Sequence, residues 1–288
     1  MSPNFWHTLP RPFLAAAPMS GITDTVCRRM VMKYGRPDVC FTGFLSCAAL
    51  ARRANRTRWQ PDLTFDESER PVVAQVFGAD PAEVYDAVRL LVDRGFDGID
   101  LNTGCPDRSV QKQGAGARLM CDPDLTARIF EQARRAAGDV PVSIKTRLGY
   151  DQDTLESWAD RLLALAPAAL TVHFRTARQR YTGTADWQAP ARLLAVAECH
   201  GGDTVLVGNG DVSTAADAEQ RARASALDGV MIGRALVGNP WVFRRDTAPA
   251  VPVRERLEVM LEHAVLFDRV YGHKHRFALM RKHFSRYA

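Results

Sequence analysis

One cysteine stands in a setting that could carry chemistry. Cys105 lies between Gly104 and Pro106, shortly after an apolar run that ends at Leu101. A turn bounded by glycine and proline positions the thiol, and a thiol with an ordinary pKa of about 8.5 stays mostly protonated at neutral pH and can act as a general acid. A nucleophilic role would need a basic partner, which the sequence does not reveal. A buried, inert cysteine is the structural alternative.

Two glycine turns predict a phosphate site. The first covers residues 208–211 (Gly-Asn-Gly-Asp), and the second is formed by Gly233 and Arg234. Glycine lets backbone N–H groups approach a phosphate closely, and the start of a following helix adds favourable partial charge. Arg234 could add a bidentate, charge-assisted hydrogen bond. The alternative is two ordinary turns with a surface arginine.

Lys145 and His173 each follow an apolar, β-rich run. A lysine at such a position could place its charge beside the N1/O2 edge of a flavin and stabilise the reduced, anionic ring. It could equally extend its charge to the solvent at the rim of a fold. His173 could donate or accept a hydrogen bond with a cofactor or phosphate, or it could be structural.

The C-terminal segment 271–288 is basic and aromatic. It contains three histidines and no acidic residue. Such a segment could follow a nucleic-acid backbone, or it could be the solvated face of an amphipathic helix. Its basic residues are Lys274, Arg276, Arg281, Lys282 and Arg286, and its aromatic residues are Tyr271, Phe277, Phe284 and Tyr287.

The elements that would position these residues recur about every 30 residues. Short β-rich runs alternate with helical stretches, which is typical of parallel strands joined by helices. Eight runs predict a (β/α)₈ TIM barrel, and its active site is expected where the strands end. The runs are Phe13–Ala16, Val39–Phe41, Val72–Val76, Gly98–Leu101, Val142–Ile144, Ala169–Val172, Val205–Val207 and Gly229–Ile232. Polar residues follow or end six of them: Gln75, Asn102, Lys145, His173, Asn209 and Arg234.

Helices are predicted between these strands. Asp80 and Asp122 each precede a proline and are expected to be helix N-caps. The clearest helices are Pro81–Arg94, Pro123–Ala137, Thr154–Ala166 and Thr214–Ala226. No β-rich run follows Pro240, so we expect a barrel domain over residues 1–246 and a partial helical domain over 247–288.

Composition narrows the class of protein. The chain has 288 residues, a net charge of +5 and six cysteines, none of them in a CxxC pair. Scattered cysteines are typical of a reducing compartment. No stretch approaches the roughly 20 apolar residues that span a bilayer, and no metal-ligand spacing is present. A cytoplasmic protein with no membrane and no metal partner is therefore expected. We also expect a monomer, although the composition does not determine the oligomeric state.

Taken in order, these motifs resemble the tRNA-dihydrouridine synthases. The likeness covers Phe13 to Phe243. The first half carries Ala17-Pro18-Met19 with Thr23-Asp24 and Arg28, then Asp100-Leu101-Asn102-Thr103-Gly104-Cys105-Pro106, and Val142-Ser143-Ile144-Lys145-Thr146-Arg147. The second half carries His173-Phe174-Arg175-Thr176, Tyr181-Thr182-Gly183, Ala185-Asp186-Trp187, Asn209-Gly210-Asp211, Asp228–Arg234 and Gly238-Asn239-Pro240-Trp241.

The resemblance implies FMN as cofactor, NADPH as electron donor and tRNA as substrate. Hydride would pass from flavin N5 to C6 of uracil, and Cys105 would protonate C5. The implied cofactor-binding residues are Pro18, Met19, Ser20, Gln75, Lys145, His173, Asn209, Gly210, Asp211, Gly233 and Arg234. The implied substrate or RNA contacts are Asn102, Arg147, Arg175, Lys274, Arg281 and Lys282.

Two departures from the family pattern stand out. Thr42 precedes Gly43 where the family usually has Thr-Glu, so substrate handling is expected to differ there. The helical domain of the family usually extends well past Tyr287, so the RNA-binding half is expected to be incomplete or supplied by another polypeptide.

Two other functions fit part of the pattern. One is an FMN oxidoreductase of the dihydroorotate-dehydrogenase type, acting on a free pyrimidine; the residues 173–176 and the basic C-terminal segment argue against it. The other is a non-catalytic tRNA-binding or chaperone protein; Cys105, Lys145 and the glycine turns argue against it.

Overall fold

The computed structural model describes residues 4–52, 63–246, 250–272 and 277–287. Within these ranges nine strands form one parallel sheet. The strands are β1 Phe13–Ala16, β2 Val39–Phe41, β3 Leu45–Ser46, β4 Val72–Phe77, β5 Gly98–Asn102, β6 Val142–Arg147, β7 Ala169–His173, β8 Val205–Asn209 and β9 Gly229–Ile232.

The sheet closes into a barrel. Strand β2 pairs with both β1 and β4, and β9 pairs with both β8 and β1, so eight strands form a complete ring. The two-residue β3 lies outside the ring, beside the end of β4. All eight predicted runs are strands, and the (β/α)₈ barrel is confirmed. Several strands run one to three residues further than predicted, so Asn102, Lys145, Arg147, His173 and Asn209 belong to strand ends.

Helices cover the outside of the barrel. Asp80 and Asp122 are confirmed as N-caps, because each side chain accepts hydrogen bonds from backbone N–H groups of the first helical turn. The described helices are α1 Thr25–Tyr34, α2 Cys47–Ala51, α3 Pro81–Asp93, α4 Arg108–Gln111, α5 Pro123–Ala137, α6 Leu155–Leu163, α7 Ala189–Glu198, α8 Ala215–Ala224, α9 Val253–Tyr271 and α10 Arg281–Tyr287.

The interior of the barrel is filled at its amino-terminal end. Phe13, Phe41 and Met231 project from three strands into one buried cluster, which Trp6 closes from below. A packed base leaves the carboxyl ends of the strands as the open face, which is the usual position of an active site in this architecture.

The segment after the barrel is helical, as expected, and it packs against α1. Val26 and Phe267 belong to one buried cluster, and Met30 and Val259 belong to another, so α9 lies along the outside of the first barrel helix. No helix in the described ranges combines the length and the apolar composition that a membrane crossing requires. The division into domains at residue 246 stays a prediction.

Candidate active site

A cavity of about 440 Å³ opens at the carboxyl ends of the strands. This volume is within the range of roughly 300–1,000 Å³ that is usual for small-molecule sites. Most residues predicted from sequence line it: Pro18, Met19, Gln75, Asn102, Cys105, Lys145, Arg147, His173, Asn209, Gly210, Asp211, Gly233 and Arg234. Among the lining residues that the structure describes, Lys145, Arg147, Arg234 and Arg286 are basic, whereas Asp211 is the one acid.

On one side of the cavity, a tight turn holds the thiol. The Oδ1 of Asn102 accepts hydrogen bonds from the backbone N–H of Gly104 at 3.1 Å and of Cys105 at 2.8 Å. The Nε of Arg147 donates to the carbonyl oxygen of Gly104 at 2.8 Å. Donors and acceptors of the turn are thus both engaged, and the position of Cys105 is restrained. We refer to residues 102–106 with Gln75 and Asp100 as the thiol side.

A buried chain of hydrogen bonds orients Asn102. Its Nδ2 donates to Oε1 of Gln75 at 2.9 Å, and Nε2 of Gln75 donates to Oδ2 of Asp100 at 2.7 Å. Ser143 Oγ donates to the other carboxylate oxygen at 2.6 Å. Because an ionised carboxylate only accepts, Asp100 determines which way both amides point.

Burial raises the pKa of Asp100 to about 6, although hydrogen bonds from Ser143 and Gln75 and the charge of Lys145 act in the opposite direction. The carboxylate is therefore ionised at neutral pH. Burial also raises the pKa of the Cys105 thiol, and the opposing effects of the Asp107 backbone and of nearby charges are smaller. The thiol thus stays protonated at neutral pH, as a general acid requires.

On the opposite side, Asp211 holds two arginines. Its Oδ1 accepts from Nη2 of Arg234 at 2.7 Å, and its Oδ2 accepts from Nη2 of Arg175 at 2.5 Å. Burial acts to raise the pKa of Asp211, but the hydrogen bonds from Arg175 and the backbone N–H of Ala185, together with the charges of both arginines, outweigh it and the pKa is lowered. We refer to Gly210, Asp211, Gly233 and Arg234 as the basic wall.

The backbone at Gly233 lies open to the cavity. A Cβ at this position would meet one neighbour, the Cβ of Ala17, at 3.6 Å. A ligand can therefore approach the backbone where a side chain would otherwise stand. Together with Arg234, this gives the basic wall the shape and charge that a phosphate group needs.

Lys145 crosses the floor of the cavity. Its Nζ donates to Oδ1 of Asn209 at 3.2 Å, while Nδ2 of Asn209 donates to the carbonyl oxygen of Met231 at 2.8 Å. Burial, followed by the charge of Arg147, lowers the pKa of Lys145 to about 8. Lys145 remains mostly protonated at neutral pH, and a bound anion would raise its pKa again, because an opposite charge nearby favours ionisation.

His173 is neutral. Burial lowers its pKa far below the ordinary value, and the positive charges of Arg147 and Lys145 act in the same direction. Its Nε2 lies 3.3 Å from Nη1 of Arg175. Since a guanidinium can only donate, Nε2 accepts and the proton of the neutral ring is on Nδ1.

Two predicted residues of the barrel, Ser20 and Arg175, lie outside the cavity lining. Ser20 belongs to a turn in which the carbonyl oxygen of Met19 accepts a hydrogen bond from the backbone N–H of Thr23, and its side chain is exposed to solvent. Arg175 is 1% exposed and donates to the carbonyl oxygens of Thr182 and Gly183 as well as to Asp211. Its geometry supports a role in bracing loops rather than in touching RNA.

The predicted RNA contacts of the C-terminal segment are only partly described. Arg281 and Lys282 are exposed on α10 and do not line the cavity, whereas Lys274 lies outside the described residues. Asn102 and Arg147 line the cavity, but Asn102 and two nitrogens of Arg147 are engaged in supporting loops.

Three residues of the site were missed by sequence reasoning. Asp100 and Tyr181 both stood within recognised motifs, and Arg286 was grouped with the other basic residues of the C-terminal segment. Tyr181 is 59% exposed at the mouth, with the guanidinium of Arg147 at 5.9 Å and that of Arg234 at 5.4 Å from its ring. Only the fold could show that Arg286 reaches the cavity.

Gly43, at the position where the resemblance predicts a glutamate, lies at a close contact. A Cβ here would lie 3.3 Å from the carbonyl oxygen of Met19 and 3.4 Å from Cα of Ser20. The loop after β2 can therefore approach the loop after β1 more closely than a larger residue would allow.

In the described ranges, no group of three or more His, Cys, Asp or Glu side chains could hold a metal ion.

Comparison with known families finds a match over almost the entire chain. The family model described as "Dihydrouridine synthase (Dus)" matches residues 14–288, which include both C-terminal helices. A relative from Bacillus subtilis strain 168, "Probable tRNA-dihydrouridine synthase 2", is 35% identical over 269 residues, which is 93% of this chain and 82% of the relative. A Staphylococcus epidermidis "Probable tRNA-dihydrouridine synthase" is also 35% identical, with the same coverage of both chains.

Solved structures support the fold alone. The old yellow enzyme homologue from Zymomonas mobilis has a TM-score of 0.58 at 13% identity, covering 84% of this chain and 90% of that chain. Morphinone reductase in complex with tetrahydroNAD has a TM-score of 0.56 at 12% identity, covering 81% of this chain and 85% of that chain. Both structures are too distant in sequence to transfer a function.

Proposed function

The chain belongs to the dihydrouridine synthase family, and on this premise we propose that it reduces a uridine of tRNA to 5,6-dihydrouridine with FMN and NADPH. One observation carries the proposal. A thiol that burial keeps protonated faces the same cavity as a basic wall suited to a phosphate. Acid and cofactor site are thus within reach of one substrate base.

The proposed reaction adds two hydrogen atoms across the C5–C6 double bond of uracil. Bound FMN, reduced by NADPH, would supply the hydride for C6. The Cys105 Sγ–H bond breaks as the proton moves to C5, and solvent then reprotonates the thiolate. NADPH ends as NADP⁺, so charge and atoms balance. The turn at residues 102–106 contributes to this step by keeping the thiol at a constant position.

The residues present fit FMN. The basic wall offers an open backbone and Arg234 to the phosphate. Lys145 offers a buried positive charge, which would favour a reduced flavin with a negative charge at its N1/O2 edge. His173 is neutral and therefore adds no positive charge to those of Arg234 and Lys145.

A tRNA substrate accounts for the excess of basic residues at the mouth. A uridine must leave its stack to enter a cavity at the end of a barrel, so base extrusion is expected. Phosphates on either side of the extruded base would then meet exposed basic residues, among them Arg281 and Lys282. The proposed place of action is the cytoplasm, with the protein acting as a monomer.

The direct test uses the whole chain, loaded with FMN, and tRNA that lacks dihydrouridine. With NADPH under anaerobic conditions, mass spectrometry of the digested tRNA should show a gain of two hydrogen atoms at a uridine. In the control reactions, uracil, dihydroorotate or orotate replaces tRNA under the same conditions.

Each competing function predicts a different result. Turnover of a free pyrimidine without tRNA would assign the protein to the dihydroorotate-dehydrogenase type. A colourless protein that binds tRNA but no FMN would indicate a non-catalytic RNA-binding role. Either result would overturn the proposal.

A further inference from the structure

The C-terminal helix α10 is seated on the rim of the barrel. His283, which α10 carries, is 3% exposed, and its Nδ1 accepts a hydrogen bond from the backbone N–H of Gly238 at 3.3 Å. The same ring also hydrogen-bonds to the backbone of Ile22, in the loop after β1. One side chain therefore ties α10 to the loops that follow β9 and β1.

A second buried contact holds the end of α10. The hydroxyl of Tyr287 lies 3.0 Å from Nδ1 of His263 on α9, and the Tyr287 ring packs edge-on against Trp241 with centroids 6.2 Å apart. Both Tyr287 and His263 are 1% exposed. Because His283 and Tyr287 are four residues apart, they lie on one face of the helix and dock it as a unit.

Gly238 is the point of closest approach. Its φ is +64°, and a Cβ there would lie 2.3 Å from the carbonyl oxygen of His283 and 2.6 Å from Cβ of Arg286. A larger residue could be accommodated only if the helix moved away. The absence of a side chain at Gly238 thus allows α10 to lie directly against the turn that begins at Gly233.

This docking brings Arg286 to the cavity. Arg286 lines the same cavity as Cys105, Gly233 and Arg234, although it comes from the last described helix. Its side chain is exposed, in contrast to the neighbouring anchors His283 and Tyr287.

We propose that Arg286 binds a phosphate group at the mouth of the barrel, as a second arginine beside Arg234. The proposal deepens the function proposed above and rests on it. Two sources share this chemistry, namely the phosphate of the flavin and a phosphodiester of the tRNA. A planar guanidinium is suited to bidentate recognition of either.

Charge favours a phosphate over other ligands. Asp211, the acid of the described lining, already accepts hydrogen bonds from Arg175 and Arg234, so it offers no obvious partner to Arg286. The local excess of positive charge is also what, after burial, holds the pKa of His173 low. A phosphate monoester brings roughly −1.5 to −2 charges at neutral pH and would offset this excess.

The test compares Arg286→Ala and Arg286→Lys with wild type by titrating the apoprotein with FMN and with riboflavin, which lacks the phosphate. If Arg286 binds the flavin phosphate, Arg286→Ala should weaken FMN binding roughly tenfold or more and leave riboflavin binding unchanged. If it binds an RNA phosphodiester, both flavin affinities stay constant and tRNA affinity falls. Arg286→Lys should restore part of the lost binding in either case.

The control is Arg254→Ala, since Arg254 is 91% exposed, pairs with Glu258 within α9 and does not line the cavity. Thermal unfolding of each variant separates loss of binding from loss of folding. Gly238→Ala provides a second route, because it displaces Arg286 without removing it and should reproduce the same defect. Unchanged FMN and tRNA affinities in Arg286→Ala would overturn the inference. If wild type binds neither FMN nor tRNA, the proposed function itself fails instead.

Discussion

The two sides of the cavity are built from different interactions. On the thiol side, Gln75 and Asp100 are 0% exposed and are joined through neutral amides and one carboxylate. On the basic wall, Arg234 is 57% exposed and is held by an ion pair with Asp211. Buried hydrogen bonds determine where an atom lies, whereas exposed charges attract a ligand and are weakened by salt. We therefore expect the thiol side to control the rate of the chemical step and the basic wall to control binding.

Cys105→Ala should produce the largest effect. Losing a positioned general acid should lower the rate of dihydrouridine formation by roughly 10²–10⁴-fold, which is the usual contribution of such a group. FMN affinity should stay the same, because the thiol belongs to the side that faces the substrate base. The measurements are single-turnover rates with tRNA and an FMN titration of the same variant.

Cys199→Ala is the matched control, since Cys199 is exposed at the end of α7 and lies outside the cavity lining. It should leave both quantities unchanged. Full activity in Cys105→Ala would remove the proton donor from the proposal, and equal losses of rate and of FMN affinity would erase the contrast between the two sides.

Asp100→Asn should change how stability depends on pH. The folded-state pKa of Asp100, about 6, lies above its ordinary value of 3.8, so the folded protein holds this proton more tightly than the unfolded chain does. The stability that this proton contributes in wild type is complete below about pH 4 and is lost as the pH rises through about 6. The difference between pKa values of about 6 and 3.8 corresponds to at most about 3 kcal/mol.

The variant has no such titration, and its amide can still accept from Gln75 while Ser143 turns its hydroxyl toward the carbonyl oxygen of Ile99, 3.2 Å away. Urea unfolding between pH 4 and 7 should therefore show Asp100→Asn gaining stability relative to wild type as the pH rises, with a constant difference above about pH 7. Parallel stability curves over the entire pH range would show that burial does not raise the pKa of Asp100 in the folded protein.

Arg234→Ala tests the basic wall in the same way. It should weaken FMN binding by roughly 1.5–3 kcal/mol if the guanidinium donates to the phosphate, with the lower figure expected for so exposed a group. The rate of the chemical step at saturating FMN should change little. Arg223→Ala, which removes an exposed arginine from α8, is the control. Equal FMN affinities for Arg234→Ala and wild type would count against a phosphate at this wall.

Sequence reasoning succeeded where a local pattern determines the structure. The eight strands and the N-caps Asp80 and Asp122 follow from apolar periodicity and turn residues within short windows. It was less successful where long-range packing decides. Arg175 lies two residues after His173, which ends β7, yet its side chain is buried under the loop at residues 182–183.

Arg286 is a second residue whose position depends on long-range packing, but here the packing brings the residue to the cavity. Its position in a basic, aromatic segment could not distinguish it from Arg281 or Lys282, because all three are charged residues of one short helix. The distinction depends on Gly238, 48 residues earlier in the chain, which admits α10 to the rim. No local pattern relates these two positions.

The smallest expected effect concerns exposed charge outside the cavity. tRNA affinity should fall steeply with salt, with a slope of log K against log salt concentration of roughly −0.7 to −0.9 for each phosphate contacted. Lys282→Ala removes one exposed charge from α10 and should make that slope shallower by just under one unit, with only a modest loss of affinity at physiological salt. The rate at saturating tRNA should be insensitive to salt, because the thiol side contains no exposed ion pair that screening could weaken. A flat salt response of tRNA affinity would mean that the basic surface does not contact the RNA backbone, and a salt-sensitive chemical step would mean that the two sides of the cavity do not act separately.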